Sequence, residues 1–289
     1  MDRKLFQQLY RPSAASHKGE NGRVLVIAGS ELFHGAALWP AEIASRIVDL
    51  VFFSSTPFNN RIFEESKEVF RNGIVVPRGK LDDYIAESDA ILIGPGMVRT
   101  ESPVESSKYK VESIYDITQI EDEGEQTYFL TKYVLEKCPE KKFVIDGGAL
   151  QMIVPEWLDG LDTPAIVTPH QGEFARLQKK EKNEISAAEF AKKHRCVVLL
   201  KGQEDNVCDW EHCVTVSGGN PGMTKGGTGD VLAGIVVSLY AKNSAFLSAA
   251  AASYINKRAG DLVSQMVGPF FNASDLAREV PVVMNEILS

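Results

Sequence analysis

The sequence predicts an α/β fold in which a mostly parallel central sheet carries helices on both faces, with an antiparallel hairpin appended to it. Two patterns support this fold class. Short β-branched and aliphatic runs alternate with helical stretches along the chain. Most of these runs are apolar at every position, which is typical of strands that are covered on both faces. The segment 207–216 differs, because two strand-like runs flank a turn at Trp210-Glu211, and it predicts the hairpin.

The elements follow in chain order. Strands are predicted at residues 23–28, 51–54, 74–76, 90–93, 143–145, 165–167 and 197–200. Helices are predicted at residues 35–49, 126–136, 172–178, 187–194, 230–242, 245–267 and 273–287. We expect residues 1–289 to form a single domain. Within it, residues 99–125 are rich in acids and poor in core-forming side chains, so they are expected to be a surface insertion or loop.

Composition and charge exclude several classes of protein. The 289 residues, 44% hydrophobic and 24% charged, suffice for a sizeable globular core. The net charge of -8 argues against a nucleic-acid binder and against adhesion to an anionic membrane. No apolar run is long enough to span a bilayer, and the N-terminal residues lack the core of a signal peptide. We therefore expect a cytoplasmic enzyme.

The four cysteines do not suggest a metal site. None of them belongs to a C-x-x-C pair, so no zinc site is expected. Cys208 and Cys213 flank the hairpin turn and are expected to face each other across it. Two reduced thiols are the favoured interpretation for a cytosolic protein, and a cross-strand disulfide is the alternative.

The glycine-rich loop Gly226-Gly227-Thr228-Gly229-Asp230 is the strongest chemical signal, and an apolar helix follows it at once. Glycines let backbone N–H groups turn toward one point, and a helix start adds the positive end of its dipole. The loop therefore predicts a phosphate site. Because phosphate repels a carboxylate, Asp230 is predicted to accept a proton rather than to bind phosphate. The alternative is a glycine-rich turn in which Asp230 is the N-cap of the helix.

Five predicted strands end in chemically suggestive residues. These are Gly29-Ser30, Gly94-Pro95-Gly96, Asp146-Gly147-Gly148, Thr168-Pro169-His170 and Lys201-Gly202. In an open α/β sheet, ligands bind beyond the carboxyl ends of the strands, so these residues are expected to share one rim. Lys201 could neutralise a nucleotide phosphate while the residues after it reach a ribose or base. A strand-ending turn with a solvated lysine is the alternative.

Two of these motifs, and the segment Gly35-Ala36-Ala37, also have structural interpretations. Thr168 could be the N-cap of a helix whose capping box Gln171 closes, but this leaves His170 unexplained. A cationic histidine is unfavourable at a helix start, so a neutral His170 is expected, either in contact with a ligand or simply on the surface. Asp146 could contact a metal or water, or cap a turn. Gly35-Ala36-Ala37 could admit a flat ligand or help a helix to pack.

Taken together, these stretches resemble the ADP/ATP-dependent NAD(P)H-hydrate dehydratases, a family of the ribokinase-like superfamily. The resemblance runs from about residue 10 to the C-terminus. The matching segments are residues 16–19, 22–30, 35–37, 94–96, 145–150, 168–173, 201–202, 219–223, 226–230 and 273–276. Thr168-Pro169-His170-Gln171-Gly172-Glu173 and Gly219-Asn220-Pro221-Gly222-Met223 are the more specific segments, since the glycine loop alone indicates only the superfamily. The chain departs from the family's frequent Gly-Pro-Gly-Leu-Gly at Gly94-Pro95-Gly96-Met97-Val98.

The resemblance implies repair of NADH or NADPH whose nicotinamide ring has been hydrated (the S form). ADP or ATP would phosphorylate the ring hydroxyl, Mg²⁺ would share the charge, and loss of phosphate would restore the double bond. Asp230 would be the catalytic base, and no protein metal ligand is implied. The hydrated dinucleotide would contact Ala37, Gly96, His170 and Asp230. The adenine nucleotide would contact Lys201, Gly202, Gln203, Glu204, Asp205, Gly226, Gly227, Thr228 and Gly229.

Partners and alternatives follow from the same resemblance. Some relatives carry a fused epimerase domain for which this chain lacks room, so a separate NAD(P)H-hydrate epimerase is expected, together with a homo-oligomer. The main alternative is a small-molecule kinase of the same superfamily that acts on a thiazole or pyrimidine alcohol. A catalytically silent nucleotide-binding regulator is the second alternative.

Overall fold

The computed structural model describes residues 3–68, 70–181 and 184–288, without the side chains of residues 3 and 4. Its centre is a nine-stranded sheet with the order β3-β2-β1-β4-β5-β6-β7-β8-β9. The strands are β1 (Arg23–Ile27), β2 (Leu50–Ser54), β3 (Ile74–Val75), β4 (Ala90–Ile93), β5 (Lys142–Ile145), β6 (Ile166–Val167), β7 (Val197–Leu200), β8 (Asp205–Cys208) and β9 (Cys213–Val216). Strands β1 to β7 are parallel, whereas β8 and β9 are antiparallel. The predicted fold class is confirmed.

All seven predicted parallel strands are present. Ala90–Ile93 and Val197–Leu200 have the predicted bounds, and both are buried at every position. Parallel strands covered on both faces cannot alternate apolar and polar residues, which explains why the apolar runs located them correctly.

The helices are α1 (Gly35–Ala44), α2 (Pro57–Glu65), α3 (Leu81–Glu87), α4 (Ile114–Thr118), α5 (Glu123–Lys137), α6 (Gly147–Met152), α7 (Gln171–Lys180), α8 (Ala187–Lys193), α9 (Thr228–Tyr240), α10 (Ala245–Val267) and α11 (Ala273–Leu288). All seven predicted helices are present, but α2, α3, α4 and α6 were not predicted. Helix α1 ends at Ala44 rather than at residue 49, because the chain turns there and Asp49 accepts hydrogen bonds from the Gly19 and Asn21 amides. No helix in the described part of the chain is long and apolar enough to cross a membrane.

Two apolar cores lie on the two faces of the sheet. Alternate strand residues divide between them: Val24 and Val26 of β1 pack into one, and Leu25 and Ile27 into the other. Helices α1, α9, α10 and α11 form the first layer, and α9 contacts both α1 and α10. The small residue Gly234 allows α1 to approach, since a Cβ there would lie 2.3 Å from Ile43 Cγ2. This packing fixes α9, the helix that follows the glycine-rich loop.

The segment 99–125 contributes to the second core. It contains α4, and its side chains Ile114, Ile117 and Ile120 are buried. Around them the segment has polar, exposed stretches, including residues 101–103 and 105–108.

The hairpin corrects one expectation. Cys208 and Cys213 face each other as predicted, but they form a disulfide, so the interpretation as two reduced thiols is wrong. The Asp209 amide donates to the His212 carbonyl in the hydrogen-bonded pair nearest the turn. The cysteines occupy the adjacent non-hydrogen-bonded pair, where facing side chains come closest in an antiparallel sheet.

Candidate active site

The glycine-rich loop holds the start of α9 against the first helix layer. Gly227 is the N-cap and has a left-handed backbone with φ of 96°. A Cβ on Gly227 would lie 2.4 Å from the Trp39 ring and 2.6 Å from Ala273. The Thr228 hydroxyl donates to the carbonyls of Met223 and Lys225, which closes the loop. Only glycine fits at 227, because a side chain would both strain the backbone and displace the tryptophan.

The N–H groups at this helix start are available to an anion. Among the described residues, the amides of Gly229 and Asp230 have no hydrogen-bond acceptor, as is usual in the first turn of a helix. The Lys201 ammonium lies beside them, since a Cβ on Gly229 would be 3.6 Å from Lys201 Nζ. Unused amides, the helix dipole and a cation therefore meet at one point, which is the environment that a phosphate prefers.

Asp230 is the third residue of α9, so its interpretation as the N-cap is wrong. Its carboxylate accepts no hydrogen bond from the described part of the chain. The pKa of Asp230 is raised to about 7, chiefly by burial and also by the charges of Asp146 and Glu173, while the charge of Lys201 partly opposes the rise. A carboxylate with a pKa near neutrality and no partner can take a proton from a ligand at physiological pH.

Lys201 and Asp146 form a buried ion pair at the ends of β7 and β5. Lys201 Nζ donates to Asp146 Oδ1 over 2.9 Å, and the Thr168 hydroxyl donates to the same oxygen over 2.7 Å. The Lys201 side chain is only 19% exposed, so the alternative of a solvated lysine is wrong. Burial lowers its pKa, but the carboxylates of Asp146, Glu173 and Asp230 more than offset this, and the pKa lies above its usual value. Lys201 is therefore a permanent cation beside the unused amides of α9.

Asp146 itself lies at the N-cap position of α6 but makes no side-chain cap, so the interpretation as a turn cap is wrong. Its carboxylate bonds Lys201 and Thr168 instead, across the ends of neighbouring strands. This arrangement depends on the parallel order of β5, β6 and β7, which places these residues side by side.

His170, not Thr168, is the N-cap of α7. Its Nδ1 accepts hydrogen bonds from the amides of Gly172 and Glu173, and the Glu173 carboxylate accepts from the His170 amide over 2.9 Å. An imidazole nitrogen thus replaces the usual hydroxyl, and Glu173 rather than Gln171 closes the capping box. Because Nδ1 acts as an acceptor, the hydrogen-bond pattern assigns a neutral ring with its proton on Nε2. The side chain is 61% exposed and free to meet a ligand.

A cavity of about 540 Å³ adjoins Lys201 and the start of α9. Its size lies within the range of small-molecule sites. Of the residues predicted to bind nucleotide, six line it: Lys201, Gly202, Gln203, Asp205, Thr228 and Gly229. Glu204, Gly226 and Gly227 do not line it, and the Gly227 position packs on Trp39 instead.

Lys257 organises the cavity wall and was missed by sequence reasoning. Its buried Nζ donates to the carbonyls of Gly202 and Gln203, each over 3.0 Å, and to Gly218 over 3.3 Å. It also lies 3.3 Å from Asp205 Oδ1. One ammonium therefore ties together the two loops that border the cavity.

The two remaining predicted contacts lie on the other side of the rim. Gly96 has a φ of 66° and packs closely on Phe33 and Ala36 of the segment after β1. Ala37 is fully buried beside Gly29, so a ligand could reach it only if the neighbouring loop moved. Contact of either residue with a ligand stays a prediction.

A protein-family model described as NAD(P)H-hydrate dehydratase matches residues 24–282. The chain belongs to this family. Among the relatives of this dehydratase family member is the ADP-dependent (S)-NAD(P)H-hydrate dehydratase of Cenarchaeum symbiosum, which is 32% identical over 93% of this chain and 90% of its own length. A bifunctional NAD(P)H-hydrate repair enzyme of Methanocaldococcus jannaschii is 31% identical over 96% of this chain. The chain spans about half the length of that bifunctional relative, 51%.

Solved structures share the ribokinase-like fold of this dehydratase family member. The ADP/ATP-dependent NAD(P)H-hydrate dehydratase of Bacillus subtilis, co-crystallised with ATP and Mg²⁺, superposes with a TM-score of 0.77 at 24% identity. That match covers 99% of this chain and 97% of the other. A ribokinase-like superfamily protein of Enterococcus faecalis superposes with a TM-score of 0.79 at 21% identity, covering 99% of this chain and 95% of the other. These structures show the shared fold, while the family model and the sequence relatives confirm the predicted family resemblance.

Proposed function

We propose that this chain returns the S form of hydrated NADH or NADPH to the intact cofactor, with ADP or ATP as phosphoryl donor. The observation that carries the proposal is Asp230, a carboxylate with a pKa of about 7 and no hydrogen-bond partner among the described residues, placed beside unused helix amides and the Lys201 ammonium. A proton acceptor next to an anion site is the arrangement that phosphorylation of a hydroxyl requires.

The chemistry has two steps. Asp230 takes the proton of the ring hydroxyl while the hydroxyl oxygen attacks the terminal phosphorus of the nucleotide. The bond between that phosphorus and the bridging oxygen of the nucleotide breaks. The helix-start amides and Lys201 stabilise the charge of the transferring phosphoryl group. The ring carbon then loses phosphate, a far better leaving group than hydroxide. The adjacent ring carbon releases a proton, and the double bond returns.

Magnesium fits this site only as an ion shared with the nucleotide. In the described part of the chain, no three His, Cys, Asp or Glu side chains converge as metal ligands. Mg²⁺ commonly uses phosphate oxygens, waters and one or two carboxylates. Asp146, the buried carboxylate beside Lys201, is the residue that would face such an ion. When bound, Mg²⁺ would neutralise charge on the nucleotide phosphates.

The remaining expectations are part of the same proposal. His170 and Gly96 would contact the dinucleotide, and the residues that line the 540 Å³ cavity would hold the adenine nucleotide. We propose that residues 1–289 form a single domain of a cytoplasmic homo-oligomer, with residues 99–125 as a surface insertion or loop. We also propose a functional link to a separate NAD(P)H-hydrate epimerase that supplies the S form, because some relatives of this chain are bifunctional NAD(P)H-hydrate repair enzymes. Size-exclusion chromatography with light scattering tests the oligomer, and added epimerase should extend turnover to the R form.

A donor and substrate panel tests the function. Purified protein is incubated with hydrated NADH or hydrated NADPH and with either ADP or ATP, and both reduced cofactor and nucleotide product are quantified. Repair predicts equimolar cofactor and AMP with ADP, or cofactor and ADP with ATP. A thiazole or pyrimidine alcohol that is phosphorylated while the hydrates are left unchanged would instead establish the small-molecule kinase.

A further inference from the structure

Asn256 on α10 has an unused side-chain amide inside the 540 Å³ cavity. The residue is 5% exposed and lines the cavity wall. Its Oδ1 is buried and has no hydrogen-bond partner. A buried amide oxygen without a partner is unfavourable, and such groups are rare in folded proteins. The amide is therefore arranged for a partner that enters with the ligand.

The other buried polar side chains of this wall already have hydrogen-bond partners. The Asp205 carboxylate accepts from the Gly202 amide and the Ser253 hydroxyl, and the Lys257 ammonium bonds three carbonyls. The Asn220 side chain accepts from Gly222 and donates to Asp261. Asn256 thus differs from the other buried polar side chains of this wall, because its amide oxygen is buried without a partner and its amide nitrogen makes no hydrogen bond to the described residues.

The position of the phosphates determines which part of a nucleotide meets this amide. The unused helix amides and Lys201 define the phosphate end of the cavity. The base must then lie among the other lining residues, which include Asn256 and the apolar side chains of Met223 and Leu232. Apolar side chains suit the faces of a purine, whereas an amide suits its edge.

We propose that Asn256 selects adenine over 6-oxopurines, by accepting a hydrogen bond from the 6-amino group and donating one to N7. A planar amide matches this donor–acceptor pair. Guanine and hypoxanthine present two acceptors on the same edge, O6 and N7, so the amide cannot satisfy both even when it is turned over. This inference rests on the proposed use of an adenine nucleotide in this cavity.

Nucleotide binding by the wild-type protein tests the inference without any variant. Dissociation constants are measured by calorimetry for ADP, IDP, GDP and 7-deaza-ADP, which lacks the N7 acceptor. We expect IDP and GDP to bind about tenfold to a hundredfold more weakly than ADP. The affinity of 7-deaza-ADP should lie between that of ADP and those of IDP and GDP. Equal affinity for ADP and IDP would overturn the proposal.

The variant Asn256→Leu then separates base selection from packing. Leucine has a similar volume and leaves no unpaired amide, so the protein is expected to fold, which its melting temperature checks. ADP affinity should fall about tenfold or more, while IDP affinity stays nearly unchanged, so the selectivity is lost. Equal weakening of both nucleotides would show a merely structural role and contradict the proposal. Asn206→Ala, an exposed position on β8, is the matched control.

The two levels of the account can fail separately. Adenine-selective binding that Asn256→Leu abolishes, in a protein that repairs no hydrate, would retain the inference about the amide and remove the proposed reaction. Repair activity with equal use of ADP and IDP would retain the proposed reaction and remove the inference about the Asn256 amide.

Discussion

Lys201 donates a hydrogen bond to the Asp146 carboxylate but not to Asp230, although the charges of all three side chains interact. The lysine charge lowers the pKa of Asp230 but is committed to Asp146, so burial and the neighbouring carboxylates prevail and the pKa stays near 7. The ion pair keeps a cation at the proposed phosphate position, and the unpaired carboxylate of Asp230 is the proposed base beside it. We derive the predictions below from this division of roles.

The rate of repair should depend on pH through Asp230. The base works only when it is deprotonated, and burial raises its pKa to about 7. Therefore kcat/KM should rise tenfold per pH unit below about pH 7 and level off above it. A pH–rate profile at saturating nucleotide measures this. A rate that stays constant between about pH 5 and about pH 8 would contradict the assignment of Asp230 as the base.

Asp230→Asn should raise stability at alkaline pH. The raised pKa means that the folded protein binds more protons than the unfolded chain between the reference value of 3.8 and about 7, so stability falls as pH rises through this window. An amide has no such dependence. The melting temperature of the variant should exceed that of the wild type at alkaline pH, and this difference should shrink in acid. The corresponding difference in the free energy of unfolding is on the order of a few kcal/mol at most.

The exposed residue Glu211 provides the control for this comparison, and Glu211→Gln should leave the melting curve unchanged at both pH values. A difference for Asp230→Asn that does not vary with pH would show that the carboxylate is not titrating as described.

Lys201→Met should shift the rise of the repair rate with pH to higher pH values. The charge of Lys201 lowers the pKa of Asp230, so its removal raises that pKa further, and the rate rises only at higher pH. The variant also leaves Asp146 buried without its partner, which we expect to cost about 3–5 kcal/mol of stability. Lys201→Arg keeps the charge and should restore the pH at which the rate rises, although not necessarily the rate itself. A rise that stays at the same pH in Lys201→Met would contradict the charge coupling.

Gly227→Ala should disrupt the start of α9, whereas Gly226→Ala should not. A methyl group at 227 meets the Trp39 ring at 2.4 Å on a left-handed backbone, but at 226 nothing lies within 4 Å. We expect Gly227→Ala to lower the free energy of unfolding by about 1–3 kcal/mol or more and Gly226→Ala to change it by less than about 1 kcal/mol. Urea unfolding of both variants measures the difference. Equal effects would mean that the close contact with Trp39 does not require glycine.

The sheet and the rim could be predicted from sequence because each depends on local patterns. Fully apolar runs marked the parallel strands, and residues after strands such as Asp146 and Lys201 share one edge in any parallel sheet. What could not be predicted is how these side chains pair. The bond between Lys201 and Asp146 depends on strand order, and the raised pKa of Asp230 depends on burial that no local pattern records.

Other features were misread or missed because a side chain did something unusual for its position. His170 replaced Thr168 as a helix cap through a ring nitrogen. Asn256 and Lys257 lie within the long helix α10, and no sequence pattern distinguishes them from other polar residues of a helix. Their roles depend on two loops that are distant in sequence, those of Gly202 and Gly218, which come close to α10 in the fold. The disulfide between Cys208 and Cys213 was only the less favoured alternative, because reduced thiols are expected in a cytosolic protein.

The most direct test of the central claim compares wild type with Asp230→Asn in one assay. Hydrated NADPH and ADP are mixed with each protein, and recovery of reduced-nicotinamide absorbance and release of AMP are followed together, with ADP affinity measured in parallel. We predict equimolar NADPH and AMP for the wild type, and for the variant a loss of at least about a hundredfold in rate with ADP binding largely retained. Wild-type levels of repair by Asp230→Asn, or a wild type that forms a phosphorylated product without restoring NADPH, would contradict the account.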